Sequence, residues 1–464
     1  MPSPTNENGE TEVRVISATG VLGSGFRTES IERGMSMNPH FIGCDAGSTD
    51  PGPFYLGSGK TAFSYHSVKS DMHALITATR EAGIPLLIGS CGTAGGRPHL
   101  AVMRQIVTEI AKEEELSFKL AIIQAEQEKE YLLERLGAGA VTPLGDLELT
   151  AETIQRSERI VGMMGEEPYL KALDEGADVV IAGRSSDCAI FAGLPVRLGV
   201  DPGIAWHAAK ILECGGAAAV SRPAPDSMYA VLRSDHFEME PLGLDMRCSA
   251  QSVAAHSLYE TADPYKLIES SGTLDLTEAK YEEISDRRVR VSGGKYLPAA
   301  RYTVKLEGAE LAGYQSVVIG GIRDPFIIRQ IDDWQARLKE RVDTRVQKVY
   351  GRDADGYVFN IRVFGRDAVM GPLEPVKEIT SHEVGLVMEV TAASQEIATG
   401  IVSLARHQAL HLPIPEWRGF ITGVACLYSP AYLERGAVYR FNCNSVVEPR
   451  DPYEMFPIEY VDIG

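Results

Sequence analysis

One pattern recurs four times in the first half of the chain, and it constrains the fold more than any other feature. A short apolar run is followed directly by a loop of Gly, Ser and Asp, at residues 13–25, 40–52, 85–99 and 177–189. Apolar runs bounded by turn residues are typical of buried strands. Ligands bind outside the carboxyl ends of the strands of an open parallel sheet. We therefore expect the four loops to build one site for an anionic small molecule.

Helical segments separate these strands. Residues 67–83 and 97–116 carry apolar side chains at helical spacing, and residues 151–176 contain one or two further helices. Nearly continuous apolar strands that alternate with helices are typical of a parallel sheet covered on both faces. The predicted fold is therefore α/β, with a mainly parallel sheet covered by helices.

The second half of the chain has a different pattern. Residues 325–351 predict a long amphipathic helix, and the segments after it alternate between strands and one helix. We place a boundary at residues 351–356. The predicted organisation is a disordered tail at residues 1–12, an α/β catalytic domain at 13–350 and a smaller α+β module at 351–464.

The composition excludes two classes of partner. The formal net charge of the 464 residues is −19, whereas nucleic acids and anionic lipids both require a basic surface. The seven cysteines contain no CxxC pair, which is typical of reduced thiols in a cytosolic protein. No apolar stretch is long enough to span a membrane. We predict a cytoplasmic protein without a nucleic-acid or membrane partner, and its size favours a homo-oligomer.

The loop at residues 183–187 combines a guanidinium, two hydroxyls and a carboxylate. Arg184 suits a substrate carboxylate, with Ser185 and Ser186 beside it, and Asp187 can act as a general base. The alternative is an Arg–Asp ion pair followed by a serine that caps a helix.

The loop after the third strand is the strongest candidate for binding an anion. Its glycines can turn backbone N–H groups inward, and the following helix presents its positive end. The candidate residues are Ser90, Gly92, Thr93, Gly95, Gly96 and Arg97, with His99 adding charge. The alternative is a tight strand-to-helix connection that needs glycine for steric reasons alone.

Carboxylates and thiols also follow the strands. Asp45 and Asp50, with Ser48 between them, can bind a divalent ion or divide acid and base roles, or they can simply cap turns. Three thiols lie directly beyond strands and can be nucleophiles, metal ligands or small buried hydrophobes: Cys44, Cys91 and Cys188. No zinc-binding spacing is present, so no residue is assigned as a metal ligand. The cofactor stays unknown, and a divalent metal stays open.

Two groups of histidines are candidates for a functional role. His207 shares a helix face with Lys210 and Cys214, and that face either reaches the site or packs in the core. His407 and His411 are four residues apart on a helix, which favours a surface pair over a zinc site.

Five segments together resemble a known family. They are residues 177–189, 208–216, 256–267, 286–294 and 383–411, and they are similar to the acyclic terpene utilisation (AtuA-like) proteins. The resemblance implies a catabolic enzyme that acts on branched carboxylic acids or their coenzyme A esters. It also implies a small companion protein or a ferredoxin-like C-terminal module.

Three hypotheses for the function follow. The first is a lyase of the hydratase or dehydratase type, in which Asp45 or Asp187 removes a proton next to a carboxylate and the Gly95–Gly96 backbone and Arg184 stabilise the enolate. The second is a hydrolase or acyltransferase with Cys91 or Ser90 as the nucleophile and His99 as its partner base. The third is a non-catalytic ligand-binding subunit.

Overall fold

The computed structural model describes residues 2–416 and 423–464, and the chain forms two compact units. The first comprises Met1–Glu310 and Arg440–Gly464, and the second comprises Leu311–Tyr439. The division differs from the boundary expected at residues 351–356. The helix at Ile331–Val349 buries Trp334 and Leu338 in one apolar cluster with the strands that follow it, so it belongs to the second unit.

The strands, numbered in chain order, are β1 (Glu12–Ser17), β2 (Phe41–Asp45), β3 (Leu86–Gly89), β4 (Phe118–Ile123), β5 (Val141–Pro143), β6 (Arg159–Met163), β7 (Val179–Ala182), β8 (Met228–Arg233), β9 (His236–Pro241), β10 (Lys266–Ile268), β11 (Gly272–Asp275), β12 (Lys280–Glu283), β13 (Val289–Ser292), β14 (Lys295–Pro298), β15 (Val304–Ile322), β16 (Val358–Phe364), β17 (Val384–Ala392), β18 (Ala425–Cys426), β19 (Tyr432–Val447) and β20 (Ile458–Ile463).

The α-helices are α1 (Thr28–Ser36), α2 (Pro53–Ser58), α3 (Tyr65–Ala82), α4 (Arg97–Glu113), α5 (Lys129–Gly137), α6 (Ala151–Arg156), α7 (Glu167–Asp174), α8 (Ala189–Arg197), α9 (Pro202–Leu212), α10 (Ala250–His256), α11 (Pro325–Arg329), α12 (Ile331–Val349) and α13 (Gln395–Leu410). Within the described ranges, no helix combines the length and the apolar character needed to cross a membrane.

The first unit is built on a ten-stranded mixed sheet. Its order is β12-β13-β9-β8-β1-β2-β3-β7-β4-β20. The five strands from β1 to β4 in this order are parallel, whereas every pairing outside them is antiparallel. The expectation of a mainly parallel sheet is therefore correct only for the centre. Strands β8 and β9 are joined by a short hairpin, which forces an antiparallel pair.

Helices cover both faces of this sheet, as predicted. Alternate residues of a strand point to opposite faces, and Val180 of β7 packs in one apolar cluster while its neighbour Ile181 packs in another. The first cluster includes Trp206 of α9, and the second includes Met72 of α3. Both clusters exclude water from the strands, so chemistry is restricted to the strand ends and loops.

The second unit has an α+β composition. Its main elements follow the order strand, helix, strand, strand, helix, strand, taken from the end of β15 through α12, β16, β17 and α13 to the start of β19, with the shorter α11 before α12 and β18 before β19. The chain leaves the first unit within β15 and returns to it within β19.

The N-terminal tail differs from the expected disordered segment. Thr5 and Thr11 pair across a turn, and the Asn6 side chain accepts hydrogen bonds from the N–H groups of Asn8 and Glu10. An asparagine that bonds to nearby backbone in this way stabilises a turn without help from the core.

Candidate functional site

The loops that follow the central strands lie side by side. The Ala46 N–H donates to Gly89 O at 3.0 Å, and the Cys91 N–H donates to Ala182 O at 2.9 Å. The loop after β1 joins them, because the Leu22 N–H donates to Asp45 O at 2.8 Å. The strand order therefore brings together all four loops in which the sequence placed its candidates.

The glycine-rich loop at residues 90–96 is closed, in contrast to the anion site that its composition predicted. A Cβ on Gly95, whose φ is +66°, would lie 2.0 Å from Arg184 N, so this glycine is required for the close approach of two loops. The N–H groups of Thr93, Gly95 and Gly96 donate within the protein, to Ala46 O, Cys91 O and His99 Nδ1 respectively. The steric alternative is the one that fits.

Arg97 also differs from its predicted role. The Glu126 carboxylate accepts the Arg97 N–H at the start of α4, so an acidic group of the protein already occupies this helix end. The Arg97 side chain is exposed and paired with Glu128. Neither group is available to hold a substrate anion in this arrangement.

The thiols at the strand ends are buried. Cys44 and Cys91 are fully buried in the same apolar cluster, and burial raises the pKa of both. Because the thiolate is the reactive form, neither cysteine has the environment of a nucleophile. The interpretation of these cysteines as packed hydrophobes is the better one.

Arg184 forms a buried ion pair that the sequence did not predict. Its Nε donates to Glu307 Oε2 at 2.9 Å, and its Nη1 donates to Ser90 Oγ at 3.2 Å. Burial raises the pKa of Glu307, but the Arg184 and Lys305 cations outweigh this effect and hold it at about 2. Arg184 is 4% exposed, so it acts from behind the surface rather than as a free anion-binding group.

Asp187 is the candidate carboxylate that solvent can reach. Its side chain is 26% exposed, and its Oδ1 lies 3.4 Å from Arg184 Nη1. Burial raises its pKa to about 7; Arg184 acts in the opposite direction, and the carboxylate of Glu213 adds to the rise. A carboxyl that titrates near neutral pH at the edge of a buried cation is a candidate functional group.

Asp45 lies behind Asp187 and is coupled to it. It is 4% exposed, its Oδ2 accepts the Gly47 N–H at 3.0 Å, and its Oδ1 has no partner in the described structure. Burial raises its pKa well above the usual range, and the charge of Asp187 raises it further. Burial and the neighbouring Asp187 charge therefore both disfavour ionisation of the Asp45 carboxyl.

The predicted hydroxyls mostly support the backbone or each other. Ser185 Oγ lies 2.7 Å from the Tyr169 hydroxyl. Ser48 donates to Asp50 Oδ2 at 2.7 Å in an exposed turn, which is the capping role considered for that loop. Ser186 bonds to Glu269.

We call the buried group of Asp45, Ser90, Cys91 and Arg184 the strand-end centre.

Sequence reasoning gave too little weight to the end of α9. Lys210 is 3% exposed, and its Nζ donates to Glu213 Oε1 at 2.6 Å, while Cys188 Sγ donates to Glu213 Oε2 at 2.9 Å. A lysine inside the largely apolar segment at residues 204–212, followed directly by a glutamate, was the available signal. Asp201 starts this helix by accepting the Gly203 N–H.

A cavity of about 700 Å³ lies next to this ion pair. Its wall includes Ser24 from the loop after β1 and the side chains of Cys214, Arg222, His256 and Tyr259. Arg222 is exposed and forms no ion pair with a carboxylate in the part of the chain that the structure describes. We use the name rim for one group of five residues. Three of them line the cavity, Cys214, Arg222 and His256, and the other two are the neighbouring Asp187 and Glu213.

Two further acidic groups were missed because they lie outside the strand-end loops. Burial raises the pKa of Glu269 to about 8. Burial and then the charge of Glu167 raise the pKa of Glu166 to about 7, and Ser271 donates to its Oε1. Burial brings the pKa of both carboxyls close to neutral pH. Burial depends on the folded structure, so the sequence does not reveal it.

The histidines separate into core, surface and candidate ligand. His207 is buried, burial lowers its pKa to about 3, and it packs edge-on against Phe237, which fits the core role. His407 and His411 pair with each other, with their ring centroids 5.6 Å apart. Among the described residues, ligand-type atoms close enough to share a cation occur at Glu213, Cys214 and His256.

The comparisons with known proteins give one match. A family model described as acyclic terpene utilisation family protein AtuA matches residues 59–218 and 241–420. The search of curated proteins and the search of solved structures each returned no match. The matched residues include Asp187, the end of α9 and residues 311–420 of the second unit.

Proposed function

The chain belongs to the acyclic terpene utilisation (AtuA) family, and from this we propose that it is a catabolic enzyme for a carboxylic acid or its coenzyme A thioester. The reaction that fits best is a hydro-lyase reaction that begins with removal of a proton next to the carboxylate or thioester carbonyl. The observation that carries this proposal is the Asp187 carboxyl, partly exposed and with a pKa of about 7.

Asp187 is the proposed base. A general base works best when its pKa lies near the operating pH, because it is then both ionised and able to accept a proton. Once Asp187 takes the substrate proton, the charge around Arg184 becomes one unit more positive, because Glu307 alone is then shared by Arg184 and Lys305. The positive potential of that guanidinium then favours the negative charge that develops on the enolate oxygen.

Dehydration also needs a proton for the departing hydroxyl group. Burial holds the pKa of Glu269 at about 8, so this carboxyl is protonated at neutral pH and is the proposed acid. One proton passes from carbon to Asp187, one passes from Glu269 to the hydroxyl, and water leaves. Hydration is the same sequence in reverse.

Arg222 is the proposed contact for the anionic end of the substrate. It lines the cavity without an ion-pair partner among the described residues. The net charge of −19 does not attract anions from a distance, so an unpaired local cation is needed. A cavity of about 700 Å³ is within the range that holds small-molecule ligands.

The acyl-transfer alternative receives less support. Cys91 is buried among apolar side chains, and Ser90 accepts hydrogen bonds from Arg184 and the Ser185 N–H. The proposed partner base, His99, uses its Nδ1 for Gly96 N and its Nε2 for Lys60 O. No base is therefore aimed at either nucleophile within the described structure.

The proposal also covers the C-terminal module, the location and the assembly of the protein. The order of elements in the second unit supports a ferredoxin-like module. All seven cysteines are free, which supports a reducing, cytoplasmic location. A homo-oligomer and a small companion subunit complete the proposed assembly.

The test is exchange of the substrate's α-hydrogen with deuterium from D₂O, followed by NMR over a panel of branched acids and their thioesters. The wild-type protein is expected to exchange one substrate class. Asp187→Asn is expected to slow exchange by about 100-fold or more. Arg222→Gln is expected to raise the substrate concentration needed.

The matched control is Asp146→Asn, which removes an exposed carboxylate from another loop of the first unit and is expected to leave exchange unchanged. Retained exchange in Asp187→Asn together with loss in Cys91→Ala would support acyl chemistry instead. Binding of a panel member with no exchange or turnover would identify a ligand-binding subunit.

A further inference from the structure

Three side chains of different chemistry converge where α9 and α10 end. Glu213 and Cys214 directly follow α9, and His256 is the last residue of α10. Their carboxylate oxygen, thiol sulfur and ring nitrogen all lie within 4.8 Å of one another. A cation placed between them would therefore contact all three after small side-chain adjustments.

His256 supplies a second and independent observation. It is 8% exposed, and its Nε2 is buried without a hydrogen-bond partner in the described structure. A buried polar atom left unpaired costs about 1–3 kcal/mol, so such atoms in native proteins call for an explanation. Tyr259 stacks on the ring, with the two ring centroids 5.3 Å apart, and packs against that face of the imidazole.

The charges around the three residues suit a divalent cation. Asp187 and Glu260 act electrostatically on Cys214, and the facing cations are Lys210, which is paired with Glu213, and Arg222. Lys210 Nζ bonds to Glu213 Oε1, which orients the carboxylate and leaves Oε2 directed at the Cys188 thiol. Partners that orient a ligand in this way are common around metal sites.

We propose that Glu213, Cys214 and His256 bind a divalent transition metal of the zinc type. Thiolate, imidazole and carboxylate are the ligands that zinc prefers, and three protein ligands leave the fourth tetrahedral position open. That position faces solvent-accessible space, because Cys214 and His256 both line the cavity. The inference goes beyond the proposed function, which needs no metal.

The experiment is a titration of the full-length protein with Co²⁺, followed by competition with Zn²⁺ and measurement of bound metal per chain. Wild-type protein is expected to bind one ion and to show a thiolate-to-cobalt charge-transfer band. Cys214→Ser is expected to lose that band and to weaken Zn²⁺ binding by about 100-fold, and His256→Gln to weaken it by a similar factor.

The matched control is Cys426→Ser, which removes another partly exposed free thiol from the second unit and is expected to bind Co²⁺ like the wild type. X-ray absorption at the zinc edge of the loaded wild-type protein gives a test that no folding defect can affect. One sulfur neighbour with nitrogen and oxygen would support the site. A wild-type protein that shows no charge-transfer band, or a shell without sulfur, would overturn it.

Discussion

The strand-end centre and the rim contain the same kinds of residues, yet they differ in what they can contact. The centre holds its carboxylate, thiol and guanidinium away from solvent, with Asp45 and Arg184 each 4% exposed and Cys91 fully buried. At the rim, Asp187 is 26% exposed and Cys214 and His256 line a cavity. A glycine-rich loop after a strand can thus serve to pack neighbouring loops together. The polar groups that solvent can reach then lie farther from the strand ends.

The difference also has an electrostatic side. In the centre, Arg184 is neutralised by Glu307, whose pKa is held at about 2 despite burial. At the rim, burial keeps the pKa of Asp187 at about 7, so its charge changes in the physiological range. Proton transfer is therefore expected at the rim and fixed charge in the centre.

The largest expected effect tests whether the glycine loop is structural. Gly95→Ala places a Cβ 2.0 Å from Arg184 N at a φ of +66°, and we expect a loss of about 3–4 kcal/mol in the free energy of unfolding. Urea denaturation measures it. The control is Gly139→Ala, with a similar φ of +69° and open space around it, for which about 1 kcal/mol is expected. Equal losses in both variants would mean that the loop is not tightly packed.

An intermediate effect tests the rim through stability. The pKa of Asp187 is raised from 3.8 to about 7, so its contribution favours folding below about pH 4 and is lost as the pH rises through 7. The Asp187→Asn variant does not lose this stability as the pH rises, because its amide does not ionise. We expect the variant to be more stable than the wild type by about 2 kcal/mol at pH 8, a value reduced from the full shift because the side chain is partly exposed.

Thermal unfolding followed at pH 4 and pH 8 measures this difference, and the gap between the two proteins should shrink at the lower pH. A variant that is less stable than the wild type at pH 8 would show that Asp187 is a structural partner of Arg184. Higher stability together with lost exchange activity would mark a group kept for chemistry at a cost in stability.

The smallest effect tests the buried thiol of the centre. Cys91→Ala removes one sulfur from an apolar cluster, and we expect a loss of about 1 kcal/mol in the free energy of unfolding with α-hydrogen exchange unchanged. Denaturation and the exchange assay on the same preparation measure both. Full stability combined with loss of turnover would reverse the comparison, because the centre would then carry the chemistry.

The parts of the fold that follow from local pattern were predictable. The alternation of apolar strands and helices predicted an α/β fold with both faces covered, and the four loops do lie together. The direction of β8 and β9 in the sheet depends on which distant strands this hairpin pairs with. The apolar pattern of the two strands does not encode that pairing. The placement of α12 in the second unit depends on which cluster buries Trp334, which is also a long-range choice.

The candidate site shows the same limit. The position of Arg184 and Asp187 just beyond a strand was predictable from the apolar run before them, whereas the catalytic role of Asp187 stays a prediction. The partner that fixes Arg184 is Glu307, which is distant in sequence and reaches Arg184 through β15. The meeting of Cys214 with His256 depends on where α10 packs, so the sequence placed Cys214 on a helix face without finding its neighbours.

The path of the chain has a consequence for how the protein is made. Strand β20 follows the second unit in sequence, yet it pairs with β4 along its whole length in the first unit. On the ribosome, β4 emerges long before β20, so one edge of the sheet stays open while the intervening residues are synthesised. Open strand edges invite pairing with other chains, so the edge formed by β4 is exposed to wrong pairing until residues 458–463 have been made.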